Sequence, residues 1–471
     1  MFGSATVSLS SGIWAAFGVC LVMTFFFEFV NGFHDTANAV ATVIYTKTLK
    51  PVHAVIWSGI CNCLGVLFSS YFLGLSVATK IANLLPVEAV LSQSVAQAAC
   101  MILAVLCGAI VWNLGTWYLG IPCSSSHTLI GAILGVGLVF STLPENTTHS
   151  TVDWAEAVKI AEALLFSPLF GFSLAVLLMF ILRSVMQTES RKAIFKRPVV
   201  DKPPPLWIRA ILVTTCTLVS FGHGSNDGQK GLGILMLALI SFMPLQYALS
   251  PKFEAQNADH ALTLIQQNLP TDVSSTYAPK ELKLVGQNID DLKQDIKTAN
   301  DLKSRLNIRK RLGLLTKNIN TLLDEPNVIS NYEARKIIKN ETASLTPLSH
   351  YVPNWAIALI SIALGLGTMI GWKRIVVTIG EKIGKRHMTY AEGATAEVIA
   401  ATTIGLATFY GLPVSTTHVL SSGVAGAMVA SKGVKNLQRG TIANIALAWV
   451  LTLPASILLA GGFYLLFRLF V

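Results

Sequence analysis

Two aspartates, Asp35 and Asp227, interrupt sequence that is otherwise apolar, and each stands in a short Gly/Asn/Asp motif: NGFHDTANA (31–39) and HGSNDGQKG (223–231). Farther along, GIPCSSSHTL (120–129) pairs with GLPVSTTHVL (411–420). Proline suits the start of a helix because its missing N–H had no intrahelical partner there. Ser124, Ser125 and Ser126 then offer hydroxyls beside the free N–H groups of a first turn, at the positive end of the helix dipole. Ser415, Thr416 and Thr417 repeat the arrangement. Ordinary helix capping would use the same residues. Two such corners facing one another would instead enclose a tetrahedral oxyanion.

Carboxylates beside an anion site pose an electrostatic problem. Asp35 and Asp227 would repel the anion unless each holds a proton or a cation, so anion binding should be linked to proton, sodium or metal-ion binding. A charged group inside a membrane segment costs roughly 2.5 kcal/mol or more on insertion scales, so it faces a cavity or a partner. Asn38, Asn226 and Gln229 could ligate a cation through carbonyl oxygen or donate to the anion. Lys230, aligned with Asn38, is a candidate cationic contact, with a snorkelling lysine as the bland alternative. Glu28 is a candidate proton relay. His34, His127, His223 and His418 flank the motifs and are expected to support the residues that touch the substrate. Asn62, Asn113 and Glu397 are further polar groups in apolar sequence, and paired glycines such as Gly131/Gly135 and Gly423/Gly426 suit close helix packing.

These residues need a scaffold, and the composition says which kind. The chain has 471 residues, 52% hydrophobic and 13% charged, about half the charge density of a soluble domain. Residues 250–353 alone hold 14 Lys/Arg and 12 Asp/Glu. Most of the rest is apolar enough to sit in lipid. Apolar stretches recur at 11–45, 54–78, 96–118, 124–141, 159–182, 207–248, 355–372, 391–411, 415–431 and 441–469, about ten crossings. The first and sixth exceed one straight span and carry the Asp motifs, which suggests broken helices. Basic loops at 47–50, 183–209, 373–386 and 432–439 fall on the cytoplasmic side if both termini lie outside. The net charge of +10 therefore reads as a topology signal, with no nucleic-acid partner implied. The seven cysteines show no metal-ligand spacing and read as small core hydrophobes.

Asp35 and His127 are 92 residues apart, Asp227 and His418 191 apart, and the 99-residue excess nearly matches the 104-residue polar stretch. The chain is thus two tandem copies, 1–182 and 207–249 with 354–471, joined by a basic cytoplasmic linker at 183–206. A polar, mainly helical extramembrane insert occupies 250–353. Within it Val285, Ile289, Leu292, Ile296, Ala299 and Leu302 mark an amphipathic helix, consistent with a helical hairpin. Five crossings between the copies would orient them oppositely, the inverted-repeat architecture of transporters, with a midplane site. The expected fold class is an all-α polytopic membrane protein of two inverted repeats.

At these motifs the sequence resembles the inorganic phosphate transporter (PiT) family, most nearly its bacterial low-affinity carriers. The likeness extends to WNLGTWYLG (112–120) and GTMIGWKRIVVTIGEKIGK (367–385). It implies a phosphate site from Asp35, Asn38, Ser124, Ser125, Ser126, Asn226, Asp227, Ser415, Thr416 and Thr417. It also implies a bacterial inner membrane location and symport with H+ or, alternatively, Na+, phosphate entering free or as a neutral Mg2+ or Ca2+ complex. No resident cofactor or structural metal is expected, and a homodimer is left open. His34 replaces the Asn that precedes the aspartate in the second copy, which weighs against sodium. Three alternatives remain from the residues alone: an intramembrane aspartyl protease using Asp35 and Asp227, a serine hydrolase using Ser126 and His127, and the same transporter carrying sulfate.

Overall fold

Long apolar runs favour helices, two of which take in an internal proline, Pro168 and Pro454, and the computed structural model of the chain is helical almost throughout. It describes residues 11–85, 90, 93–146, 152–199, 202–270, 279–297, 302–325, 328–349 and 351–471. Extended pairing among these is confined to one antiparallel bridge, Gly384 with Leu437. Two compact units emerge: Met1–Ala238 with Asn354–Val471, and Leu239–Pro353.

The first unit begins with α1 (Ser11–Asp35), α2 (Ala37–Tyr45), α3 (Pro51–Phe68), α4 (Ser76–Leu84), α5 (Val95–Tyr118) and α6 (Ser125–Ser141). α7 (Trp154–Val185) and α8 (Leu206–Phe242) follow. Six helical segments among the described residues are long and apolar enough to cross a bilayer: Ser11–Tyr45, Pro51–Leu73, Val95–Tyr118, Ala157–Val185, Leu206–Phe242 and Arg439–Phe470. The other expected crossings are shorter or more polar. α6 has 17 residues, roughly 26 Å at 1.5 Å per residue, short of a hydrocarbon layer about 30 Å thick.

The Asp motifs behave differently from expectation. α1 and α2 are separated by Thr36 alone, itself in helical geometry (φ −50, ψ −40). α8 runs through Asp227 without a break. The glycines of the second motif serve close approach rather than interruption: a Cβ on Gly224 would lie 2.0 Å from the Asn62 carbonyl oxygen on α3. The expectation of two broken helices is therefore corrected to one minor interruption and one continuous helix.

The second unit holds α9 (Ala255–Asn268), α10 (Pro279–Lys297), α11 (Leu302–Asp324) and α12 (Tyr332–Ser349). Val285, Ile289, Leu292 and Ile296 are buried in a core shared with Leu262, Ile308, Leu312, Ile319 and Leu345, and α10 and α11 form consecutive helices. Ala299 lies outside the described residues. Arg309 is buried in this unit and donates to the carbonyls of Ala248 (3.2 Å) and Ser349, tying the start of the insert to its end. Burial lowers its guanidinium to about 10, so it stays charged at neutral pH.

The first unit resumes with α13 (Asn354–Met369), α14 (Tyr390–Phe409), α15 (Thr416–Lys432) and α16 (Arg439–Phe467).

Candidate functional site

The two serine-rich corners are near copies at atomic detail. Gly120 and Gly411 take positive φ, 67° and 64°, a conformation that costs a residue with a Cβ about 1 kcal/mol or more. Each lets the chain turn out of one helix toward the next. Ser124 (φ −95, ψ 110) and Ser415 (φ −88, ψ 101) are the N-caps of α6 and α15, their hydroxyls accepting from the N–H groups of His127 and His418 at 3.2 Å each. Pro122 and Pro413 precede these caps by two residues, so they guide the extended approach instead of occupying the first helical position as expected. The capping role and the corner role are thus divided: the first hydroxyl caps, and the next two face inward.

Two of them, one from each corner, meet Asp35. Ser125 Oγ donates to its Oδ2 at 2.7 Å, and Thr417 Oγ1 donates to its Oδ1 at 2.7 Å. One carboxylate therefore joins a hydroxyl from each copy. Asn38 donates to Thr417 Oγ1 (2.9 Å) and Thr416 Oγ1 (3.5 Å), while its own carbonyl oxygen has no partner. His34 Nδ1 lies 3.3 Å from Asp35 Oδ1, and its Nε2 lies 3.2 Å from Thr116 Oγ1.

Asp227 sits across the cluster. Its Oδ1 receives Lys230 Nζ at 2.5 Å, one turn along α8. The same ammonium donates to Ser126 Oγ and, at 3.2 Å, to the Val414 carbonyl. Lys230 is 1% exposed. A snorkelling lysine would reach water, so that alternative is set aside. His223 bridges the two acids: Nε2 is 3.6 Å from Asp35 Oδ2 and 3.4 Å from Asp227 Oδ2, and Nδ1 is 3.0 Å from Asn62 Oδ1. Asp35, His223 and Asp227 bring one ligand atom each to within 4.8 Å of one another, a spacing a cation can bridge with modest adjustment.

Other candidates stand apart. Asn226 donates to Thr408 Oγ1 (3.1 Å) and the Leu412 carbonyl (3.0 Å) and accepts from Val414 N–H (3.3 Å). It thereby holds the loop that delivers Ser415. Gln229 Oε1 accepts from the N–H groups of Val77 (3.0 Å) and Ala78 (3.3 Å), capping α4. The rings of His127 and His418 meet at a tilt of 35°, centroids 4.5 Å apart, and His418 meets Trp449 at 32° and 4.1 Å. Glu28 and Glu397 are fully buried; Glu397 receives the hydroxyls of Thr42 and Thr215. Sequence reasoning missed Trp449, Thr116 and the Val414 carbonyl. Trp449 gave no motif signal, Thr116 lay inside the WNLGTWYLG stretch without standing out as a site residue, and a backbone acceptor gives none at all.

Buried carboxylates, an ammonium and opposed hydroxyls inside a helical, lipid-suited unit define a membrane carrier for a polar ion. The comparisons with known proteins agree. A profile described as the phosphate transporter family matches residues 31–460. The chain is 38% identical to the low-affinity inorganic phosphate transporter PitA of Escherichia coli (strain K12), covering 98% of both chains. It is 38% identical to PitB of the same organism over 95% of each, and 31% identical to a probable low-affinity inorganic phosphate transporter of Bacillus subtilis (strain 168) over 94% of each. A solved structure titled the sodium-dependent phosphate transporter shares the fold, with a TM-score of 0.56 at 19% identity over 97% of this chain and all of that one. This chain belongs to the phosphate transporter family and is an integral membrane transporter, not an enzyme. The hydrolase and protease alternatives end there.

Proposed function

We propose that this protein imports inorganic phosphate by cation-coupled symport, with protons as the coupling ion, through alternating access of its two halves in a bacterial inner membrane with both termini outside. The observation that carries the reading is the Asp35 carboxylate, held at once by Ser125 of one copy and Thr417 of the other. A group that bridges both halves in a buried place is where binding can bias their relative motion.

Charge decides the coupling. The cluster holds two carboxylates and one ammonium, and His223, between the two acids, can carry one further positive charge. Divalent phosphate would add two further negative charges, each unit pair at 4 Å costing about 4 kcal/mol at an effective dielectric of 20. Protons on the carboxyl groups, or a divalent cation arriving with phosphate as a neutral complex, remove that penalty. Asp35, His223 and Asp227 are spaced for such a cation, and Asn38, which shares Thr417 Oγ1 with Asp35, has an unpartnered carbonyl oxygen. Lys230, Ser125, Ser126, Thr416 and Thr417 would supply donors to phosphate oxygens.

Labelled-phosphate uptake into proteoliposomes tests this, with pH, sodium and magnesium gradients imposed one at a time. Accumulation driven by an inward proton gradient is expected. Accumulation driven by sodium alone, or none under any gradient, would overturn the proton assignment.

A further inference from the structure

Glu28 has no role in the anion corner, and its surroundings are unusual. It lies on α1, fully buried, with its carboxyl laid against the backbone of Gly231 on α8. A Cβ on that glycine would come 2.3 Å from Oε1, 2.4 Å from Cγ and 2.5 Å from Cδ. Any other residue at 231 would expel the carboxyl. Oε2 receives only a long contact from Asn31 Nδ2, 3.4 Å, and Oε1 has no hydrogen-bond partner. The charged or titratable groups that act on it are Asp227, Lys230 and His223, all from α8. Lys230 is already committed to Asp227. On its own helix the nearest are His34 and Asp35, six and seven residues on.

A carboxylate in this pocket would leave a full or partial charge without a donor, which is costly in a buried site. A protonated carboxyl avoids that cost. The pocket is also one residue from Lys230, the only ammonium in the cluster described above, so any motion of α8 that moves Lys230 off Asp227 changes the field at Glu28 directly. We infer that Glu28 is the group that carries the coupling proton: it holds the proton in the conformation seen here and releases it when the α1–α8 contact at Gly231 changes. The only step is proton transfer: one O–H bond on Glu28 forms as hydronium on one side of the membrane gives up a proton and becomes water, and it breaks as a water on the other side takes that proton and leaves the carboxylate. The inference rests on the proton-coupled reading above and assigns its proton to a residue.

The test separates coupling from substrate handling. Purified wild type and Glu28→Gln are reconstituted, and two quantities are read: net phosphate accumulation under an imposed pH gradient, and exchange of internal for external phosphate with no gradient. Glutamine keeps the size and neutral charge of the protonated acid but cannot release a proton. The expected result is at least a tenfold fall in gradient-driven accumulation with exchange persisting. Accumulation at the wild-type level overturns the inference, and so does loss of both activities at normal membrane abundance, which would place Glu28 in substrate binding or packing. Should Glu28→Gln reduce the folded protein, Glu28→Asp gives the readout: a displaced pH profile of uptake supports the role, and an unchanged profile refutes it. Failure of wild type to respond to the pH gradient is a separate result, which refutes proton coupling itself and removes the Glu28 role with it.

Discussion

The two copies of the Asp motif meet the same corner by different means. In the first, Thr417 donates straight to Asp35. In the second, the matching hydroxyl is Ser126, and Lys230 stands between it and Asp227. The position that differs is the one three residues after the aspartate, Asn38 in one copy and Lys230 in the other. Duplication supplied two related scaffolds, and the difference at this position gives Asp227 an ammonium partner that Asp35 lacks. Asp227 is thus charge-paired within its own helix, whereas Asp35 is met by hydroxyls and imidazoles.

The sharpest way to break this comparison is Lys230→Met. Removing one partner of a buried ion pair costs about 3–5 kcal/mol, so uptake should fall at least a hundredfold and folded protein should decline. Combining it with Asp227→Asn should recover folded protein in the membrane fraction without recovering uptake. Failure of the double variant to recover folded protein would mean that the pair is not what balances the second copy.

Next in size is Asp35→Asn. The amide no longer accepts at both oxygens from Ser125 and Thr417, each a hydrogen bond to a charged group worth about 1.5–3 kcal/mol. Labelled-phosphate uptake should drop by about ten- to a hundredfold at normal abundance. Unaltered uptake would remove Asp35 from the site.

A smaller effect distinguishes neighbouring hydroxyls. Thr417→Ala and Ser125→Ala should each weaken apparent phosphate affinity by about tenfold, in line with the loss of one such bond. Thr416→Ala should cost less, because the contact that Thr416 Oγ1 makes to Asn38 is 3.5 Å long. Equal losses at Thr416 and Thr417, read from the concentration dependence of uptake, would contradict the geometry.

The smallest expected effects are at the caps. Ser124→Ala and Ser415→Ala each remove one N-cap, about 1 kcal/mol, and Ser124→Ala also removes the contact with His127 Nδ1 at 2.8 Å. Thermal unfolding in detergent should therefore show a downward shift for both, the larger for Ser124→Ala; a larger shift for Ser415→Ala would contradict the geometry.

Much of this was legible in the chain itself. Asp35 and Asp227 stood out because charge in apolar sequence is rare, and the serine motifs because a Gly turn, a hydroxyl cap and a following helix have a recognisable order. The amphipathic spacing of Val285, Ile289, Leu292 and Ile296 revealed the buried face of α10. Less legible was the partition of roles. Asn226 and Gln229 have the chemistry of ligands, yet Asn226 fastens a loop and Gln229 caps α4. Glycines read as helix breaks proved to be contact points, because a missing side chain signals either outcome and only the neighbouring helix decides.

Local physical chemistry, then, is what the sequence determined: a lipid-suited helical chain, its duplication, its capped corners, and the acids and hydroxyls available to them. Periodicity, hydropathy and capping depend on residues within a few turns of one another, so they survive in a one-dimensional record. The tertiary structure alone decided that Asp35 takes a hydroxyl from each half, that Lys230 closes on Asp227 and Ser126, and that Glu28 rests on Gly231 without a donor. The Lys230–Asp227 pair apart, which lies one turn along α8, those facts depend on distances between atoms 90 or more residues apart, set by how closely glycine-bearing helices pack, and no local pattern encodes them.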